Sequence, residues 1–244
     1  MFNKLEVPMD EQIQTSGESQ ATFQPDFDLS VGTIIANGFS IGFKNLFRII
    51  GCYILWGITF WIPYINVGTT IGLYGIAVKM SKNEPFGVGE IFKREYRTIM
   101  PEFLLLLALY GITLYFAYIF LIIPGIILSI AWGFSFFFLI DKGLGVTESL
   151  KASNKTTYGH KWDIFGGMFI LYLIGLVITL ILWLIFKTKP DEFSELGSGS
   201  SLLGLDPPNV LGIILIIIVW LIMASVIIGA EAYIYRELSK KEIQ

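Results

Sequence analysis

Residues 103–140 read FLLLLALYGITLYFAYIFLIIPGIILSIAWGFSFFFLI, 38 positions without a charged side chain, interrupted near the middle by Pro124 and Gly125. The hydrocarbon core of a bilayer is ~30 Å thick and a helix crosses it in about 20 apolar residues, so a run of this length is expected to cross twice. Proline is tolerated at the first position of a helix, where its missing N–H costs nothing. The spacing therefore predicts one span over 103–123 and a return span opened by Pro124, with Gly125 in the same turn. A membrane hairpin is the unit from which the rest of the chain is read.

The remaining sequence is of the same kind. Of its 244 residues 54% are hydrophobic and 15% charged, outside the range of a soluble domain, so most of the chain is expected in lipid. There are six Trp and eleven Tyr. Tyr53, Trp61, Tyr64, Tyr233 and Tyr235 fall where an interfacial aromatic belt would place them. The single cysteine, Cys52, has no partner for an intramolecular disulfide and is expected to be an inert thiol packed among helices. A lone histidine, His160, excludes the His-rich centres of haem, zinc and di-iron membrane proteins, and no cofactor or metal is expected.

In chain order, residues 1–29 carry Glu6, Asp10, Glu11, Glu18, Asp26 and Asp28 against Lys4 alone, and are expected to be a flexible tail rather than a signal peptide. From Ser30, a plausible N-cap, Val31, Ile34, Ile35, Phe39, Phe43 and Leu46 recur at helical spacing, which predicts an amphipathic helix at the interface. A first span is expected over about 46–62, with Pro63 turning the chain into a return span ending near Met80. A second interfacial helix is expected over 84–100, with Val88, Ile91, Phe92, Tyr96 and Ile99 on one face. The central hairpin follows, then a polar segment over 144–162 with a weaker apolar stripe. A fifth span over 163–186, an acidic loop over 187–209 and a sixth span over 210–230 complete the chain.

Three units open alike, at Val31-Gly32-Thr33, Val88-Gly89-Glu90 and Val146-Thr147-Glu148, offset by 57 and 58 residues. The expected fold is thus an all-α polytopic transmembrane bundle of six spans, arranged as three hairpins each preceded by an interfacial helix. The membrane domain covers 30–238, with repeats 30–83, 84–141 and 142–238, and 239–244 is a short tail. With the amino terminus inside, 15 of the 17 Lys and Arg lie on the cytoplasmic side and only Lys187 and Lys189 outside. The positive-inside rule then predicts both termini in the cytoplasm.

An ionisable residue deep in the bilayer would be a functional candidate by default. Glu102, Asp141, Asp163 and Glu231 all fall near the ends of apolar runs, and Glu231 is expected to form an interfacial ion pair with Arg236. Lys93, Arg94 and Arg97, with Lys151, Lys155 and Lys161, are candidate contacts for anionic lipid headgroups. Phosphate loops, paired central carboxylates and zinc-protease helices are absent from the sequence, and no serine has a credible histidine, so catalysis is disfavoured.

Ile123-Pro124-Gly125-Ile126, Leu150-Lys151-Ala152-Ser153 and Tyr158-Gly159-His160-Lys161-Trp162 carry a resemblance. The chain resembles bacterial six-span membrane proteins related to the membrane domain fused to some glycerophosphodiester phosphodiesterases. The likeness covers about 30–240 in layout, and it implies a bacterial cytoplasmic membrane but no substrate. Phosphodiesterase activity is not carried over, since the catalytic module is not in this sequence. The expected function is that of a non-enzymatic accessory or scaffold subunit, with membrane lipids and other membrane subunits or a second copy as partners, and no nucleic acid. The alternative is a transporter or flippase-like protein for a lipid or small apolar solute, and a headgroup-directed enzyme ranks third.

Overall fold

In the computed structural model residues 28–186 and 210–242 are described, and they are helical, without strands. The acidic segment 1–27 and the segment 187–209 expected as an acidic loop, with Lys187, Lys189 and Pro190, lie outside the described residues, as does the end of the expected tail. The helices are α1 (Val31–Lys44), α2 (Leu46–Thr59), α3 (Pro63–Ser81), a 3-10 helix (Val88–Phe92), α4 (Arg94–Thr98), α5 (Met100–Phe120), α6 (Ile122–Gly133), α7 (Ser135–Lys142), α8 (Val146–Thr157), α9 (Lys161–Phe186) and α10 (Val210–Glu242).

Four stretches are long and apolar enough to cross a membrane: α5, α6 with α7, α9 and α10. A fifth is possible if α1 and α2, bent by 77° at Asn45, are taken as one broken span. The chain is an all-helical, multi-pass membrane protein. α3 does not join this set, although the sequence predicts a span there. It carries Asn66, Thr69, Thr70 and three glycines, and ten of its residues are buried against other helices. A helix surrounded by protein has no need of the hydropathy that lipid contact demands.

α10 is the centre of the bundle, touching α1, α2, α3, α8 and α9. The tightest crossing is with α1. Gly38 and Gly42 on α1 face Ser225 and Gly229 on α10, two small residues four apart on each helix. A Cβ on Gly42 would lie 2.7 Å from the Ser225 carbonyl oxygen, and one on Gly229 would lie 2.6 Å from the Gly38 carbonyl oxygen. Only glycine lets backbones approach so closely, the arrangement by which membrane helices gain packing contact. α1 starts where the sequence predicts, since the Ser30 hydroxyl accepts from the Thr33 N–H at 3.3 Å and Thr33 Oγ1 accepts from the Ser30 N–H at 3.0 Å. Its buried face, however, is Ile34, Gly38 and Gly42 rather than the phenylalanines, and Phe43 stays exposed.

The other two segments predicted as interfacial also bury against protein. The 3-10 helix and α4 lie along α3, with the Ile91 backbone over Gly72, Tyr96 over Gly75 and the Arg97 stem over Gly68. On α8 the buried positions include Ser149, Ser153, Thr156 and Thr157, and Ser153 donates to the Ala131 carbonyl at 2.7 Å. Small hydroxyl side chains bury readily when a backbone carbonyl accepts from them, so a weak apolar stripe did not prevent docking. The amino-terminal tail is pinned at its end, because Leu29 is in the core and Tyr233 donates to the Asp28 carbonyl at 2.5 Å.

Pro63 begins α3 as expected. α6 begins at Ile122, two residues before Pro124, after Leu121 breaks the chain in extended conformation. A proline at the third helical position still lacks only an N–H that has no intrahelical acceptor. Gly125 lies under Tyr118, whose Cδ1 would be 2.6 Å from a Cβ there. Of the predicted aromatic belt, Trp61 and Tyr64 are exposed, while Tyr233 and Tyr235 are buried.

Glu90 joins the 3-10 helix to α3. Its carboxylate accepts from Lys79, from Lys93 Nζ at 2.7 Å and from the Gly87 N–H at 3.4 Å. Burial by itself raises the pKa of this carboxyl, but the hydrogen bonds from Lys79, Lys93 and Gly87 outweigh it and hold the group below its ordinary value of 4.5. A depressed carboxyl contributes stability that is fully present above the ordinary value and is lost as pH falls through the folded value. Acidification below pH 4.5 is therefore expected to lower the melting temperature of the wild type more than that of Glu90→Gln, as followed by circular dichroism in detergent. Parallel acid profiles for the two proteins would refute this.

Candidate functional site

Trp220, Ala224, Ile227, Ile228 and Glu231 recur at three- and four-residue steps and form one face of α10. This face lines a cavity of about 330 Å³, which is also bordered by Tyr53 and Trp56 of α2, Thr70 and Tyr74 of α3 and Tyr172 of α9. A second cavity of about 400 Å³ lies between α6, α7 and α9, lined by Tyr110, Ser129, Phe134, Phe165 and Phe169 among others. Tyr74, Tyr172 and Glu231 belong to both, so the carboxyl group stands where the two meet. Each volume is within the range of small-molecule sites.

The walls are held in place by packing. Tyr74 stacks on Phe136 with centroids 5.4 Å apart and meets Phe137 edge-on at 5.5 Å and Phe103 at 5.9 Å. Trp56 donates its indole N–H to Thr70 Oγ1 at 2.8 Å, so its ring position is fixed and its polar atom satisfied. Tyr110 reaches the Ser129 carbonyl at 3.4 Å.

Glu231 is partly buried and has no hydrogen-bond or ion-pair partner among the described residues. The predicted pair with Arg236 is not formed. Five residues along a helix turn the side chain about 140° away from its starting face, and Arg236 instead lies with Nε 3.5 Å from Glu237 and its guanidinium 5.0 Å over the Tyr233 ring. Glu231 sits one turn inside a polar layer in which Tyr235 donates to Asp141 at 2.7 Å and Lys82 pairs with the same carboxylate. Neither cavity has a Lys, Arg or His in its lining. An intramembrane carboxyl without a partner costs several kcal/mol if charged, and aromatic side chains are the apolar surface that best accommodates a cation. The arrangement suits a positively charged ligand.

The apolar run that ends at Ala230 made Glu231 read as a boundary residue. Ala232, Tyr233, Ile234, Tyr235 and Leu238 continue the pattern beyond it, and all are buried. That continuation is the signal in the sequence that places the carboxyl inside the helix rather than at its end.

The six candidate headgroup contacts are dispersed. Lys93 is engaged with Glu90, Arg97 reaches the Phe92 carbonyl at 3.5 Å and Lys161 bonds Asn154 at 3.1 Å. Arg94, Lys151 and Lys155 are exposed, and none of the six lines either cavity. Cys52 is fully buried, with Sγ 3.7 Å from the Val88 carbonyl, and His160 lies 3.6 Å from Asp163. Among the described residues no group of three or more His, Cys, Asp and Glu is placed to hold a metal ion. Searches against protein-family models, curated proteins and solved structures find no match to this chain.

Proposed function

We propose that this protein binds an amphiphile bearing a positively charged amine and passes it within the membrane through the two cavities that meet at Glu231. The observation that carries this reading is the partnerless carboxyl among Tyr53, Trp56, Tyr74, Tyr172 and Trp220, with no cation in either lining. A carboxylate in such a place stabilises a bound ammonium group both as counter-ion and through the ring quadrupoles around it. The solute is thus cationic rather than plainly apolar. An accessory or scaffold subunit has no use for an unpaired carboxyl beside two cavities, and that reading ranks second. The distribution of Lys and Arg supports an orientation with the basic end of the bundle on the cytoplasmic side, and the resemblance of the sequence implies a bacterial cytoplasmic membrane.

The test uses protein purified in neutral detergent and three amphiphiles of one chain length, with trimethylammonium, neutral and sulfonate heads. Fluorescence of Trp56 and Trp220, which line the first cavity, reports occupancy. Saturable binding of the ammonium compound is expected, weakened by Glu231→Gln by about tenfold or more, the loss associated with removing a charged hydrogen-bond partner. Reconstituted vesicles should then move the ammonium probe faster than vesicles carrying the variant. Equal binding of all three probes, or binding indifferent to Glu231→Gln, would overturn the proposal.

A further inference from the structure

A third recess, of about 400 Å³, lies at the basic end and has the opposite electrostatic character. It is bounded by Ser40 and Lys44 of α1, Arg48 of α2, Met80 and the turn at Asn83 and Glu84 after α3, and Arg236 of α10. The 77° bend at Asn45 creates it, since the bend carries Lys44 and Arg48 onto different helices beside α10. Among the described residues Lys44 has no partner and Arg48 has only the Phe86 ring, 5.9 Å from its guanidinium carbon. Arg236 uses its Nε toward Glu237, and the Ser40 hydroxyl forms no hydrogen bond among the described residues.

Two features of the local backbone favour an anion beside these cations. Arg48 lies in the first turn of α2, where the helix dipole is positive and repels a cation. That terminus also lacks a side-chain cap, so its orphan N–H groups are not satisfied by Asn45. A helix amino terminus with convergent Lys and Arg side chains is the arrangement that receives phosphate. Glu84 is the one carboxylate in the lining, against three cations.

We infer that this recess binds a phosphate group, with Lys44, Arg48 and Arg236 as charged contacts and the Ser40 hydroxyl as a further donor. The site is separate from the Glu231 cavities and stands whether or not those take a cation. The phosphate belongs either to an anionic lipid headgroup or to a soluble phosphate ester, two sources of one chemistry.

The test compares the full-length wild type with Lys44→Gln/Arg48→Gln, and with Lys151→Gln/Lys155→Gln, exposed α8 lysines that the sequence offers as rival headgroup contacts but that do not line the recess, as a charge-matched control. All four lysines and arginines changed are exposed, so each protein should fold. One arm measures the stabilisation of detergent-solubilised protein by inorganic phosphate and glycerol phosphate. The other measures retention of phosphatidylglycerol over phosphatidylcholine by native mass spectrometry after extraction from mixed vesicles. The recess variant is expected to bind roughly thirtyfold more weakly in at least one arm, two basic residues each contributing about fivefold, with the control unchanged. Loss in the lipid arm alone assigns the headgroup, and loss with soluble phosphate assigns the free ester. Equal losses in both variants, or none in the recess variant, would show that only diffuse surface charge is at work and would overturn the inference.

Discussion

Gly42→Leu is expected to unseat α1 from α10 and to lower stability by more than ~3 kcal/mol, the upper part of the range for overpacked cores. At this position the atoms that a side chain would meet are backbone: the Ser225 oxygen and Val226 Cα at 2.7 Å and the Val226 nitrogen at 2.9 Å from the first added carbon. Backbone within a helix cannot rotate away as a side-chain tip can. Relief requires moving α10, which also contacts α2, α3, α8 and α9, so the cost spreads through the bundle. Gly42→Ala should act in the same direction with a smaller effect. Gly111→Ala is the control, since nothing lies within 4 Å of its added carbon and alanine favours a helix by about 1 kcal/mol. Thermal unfolding in detergent reads the series, and a Gly42→Leu protein that melts with the wild type would disprove the tight crossing.

Lys82→Met is expected to cost ~1–3 kcal/mol, less than the loss of a fully buried pair, because Lys82 is 47% exposed while Asp141 is shielded. Asp141 is nearly inaccessible, its side chain 3% exposed, and it accepts from Lys82 and from Tyr235 at 2.7 Å. Tyr235 is itself fully buried between Phe137 and Phe138, with centroids 5.3 and 5.2 Å away. Without Lys82 the carboxylate, 3% exposed, keeps a single neutral donor. Removing the charge as well, in Lys82→Met/Asp141→Leu, should return part of the loss, because two apolar groups replace an ion pair more cheaply than one orphaned charge can be tolerated. A double variant as unstable as the sum of the two single ones would show that the pair is not coupled.

Both effects concern packing that hydropathy does not encode. The central hairpin was legible because 38 uncharged residues admit few alternatives in a bilayer, and the start of α1 was legible because Ser30 and Thr33 cap it locally. The surroundings of Glu231 were not. An apolar run followed by Glu and Arg reads as a helix leaving the membrane, and only the burial of Tyr233, Ile234 and Tyr235 shows the helix continuing among protein. The basic recess was missed for a different reason. Lys44, Arg48 and Arg236 are nearly two hundred residues apart at their extremes, and sequence clustering pointed instead to Lys93, Arg94 and Arg97, which do not share a cavity.

By itself the sequence determined that the protein is helical and lies in a membrane, because backbone groups in hydrocarbon must bond within their own segment and apolar length sets which segments cross. It also determined local starts and turns, such as Pro63, where the relevant energies act between near neighbours in the chain. Tertiary structure alone decided that α3 is enclosed, that the segments expected at the surface dock on other helices, and that Glu231 stands unpaired between two cavities. Those outcomes depend on which faces meet, and contacts between residues far apart in the chain leave no periodic trace in it.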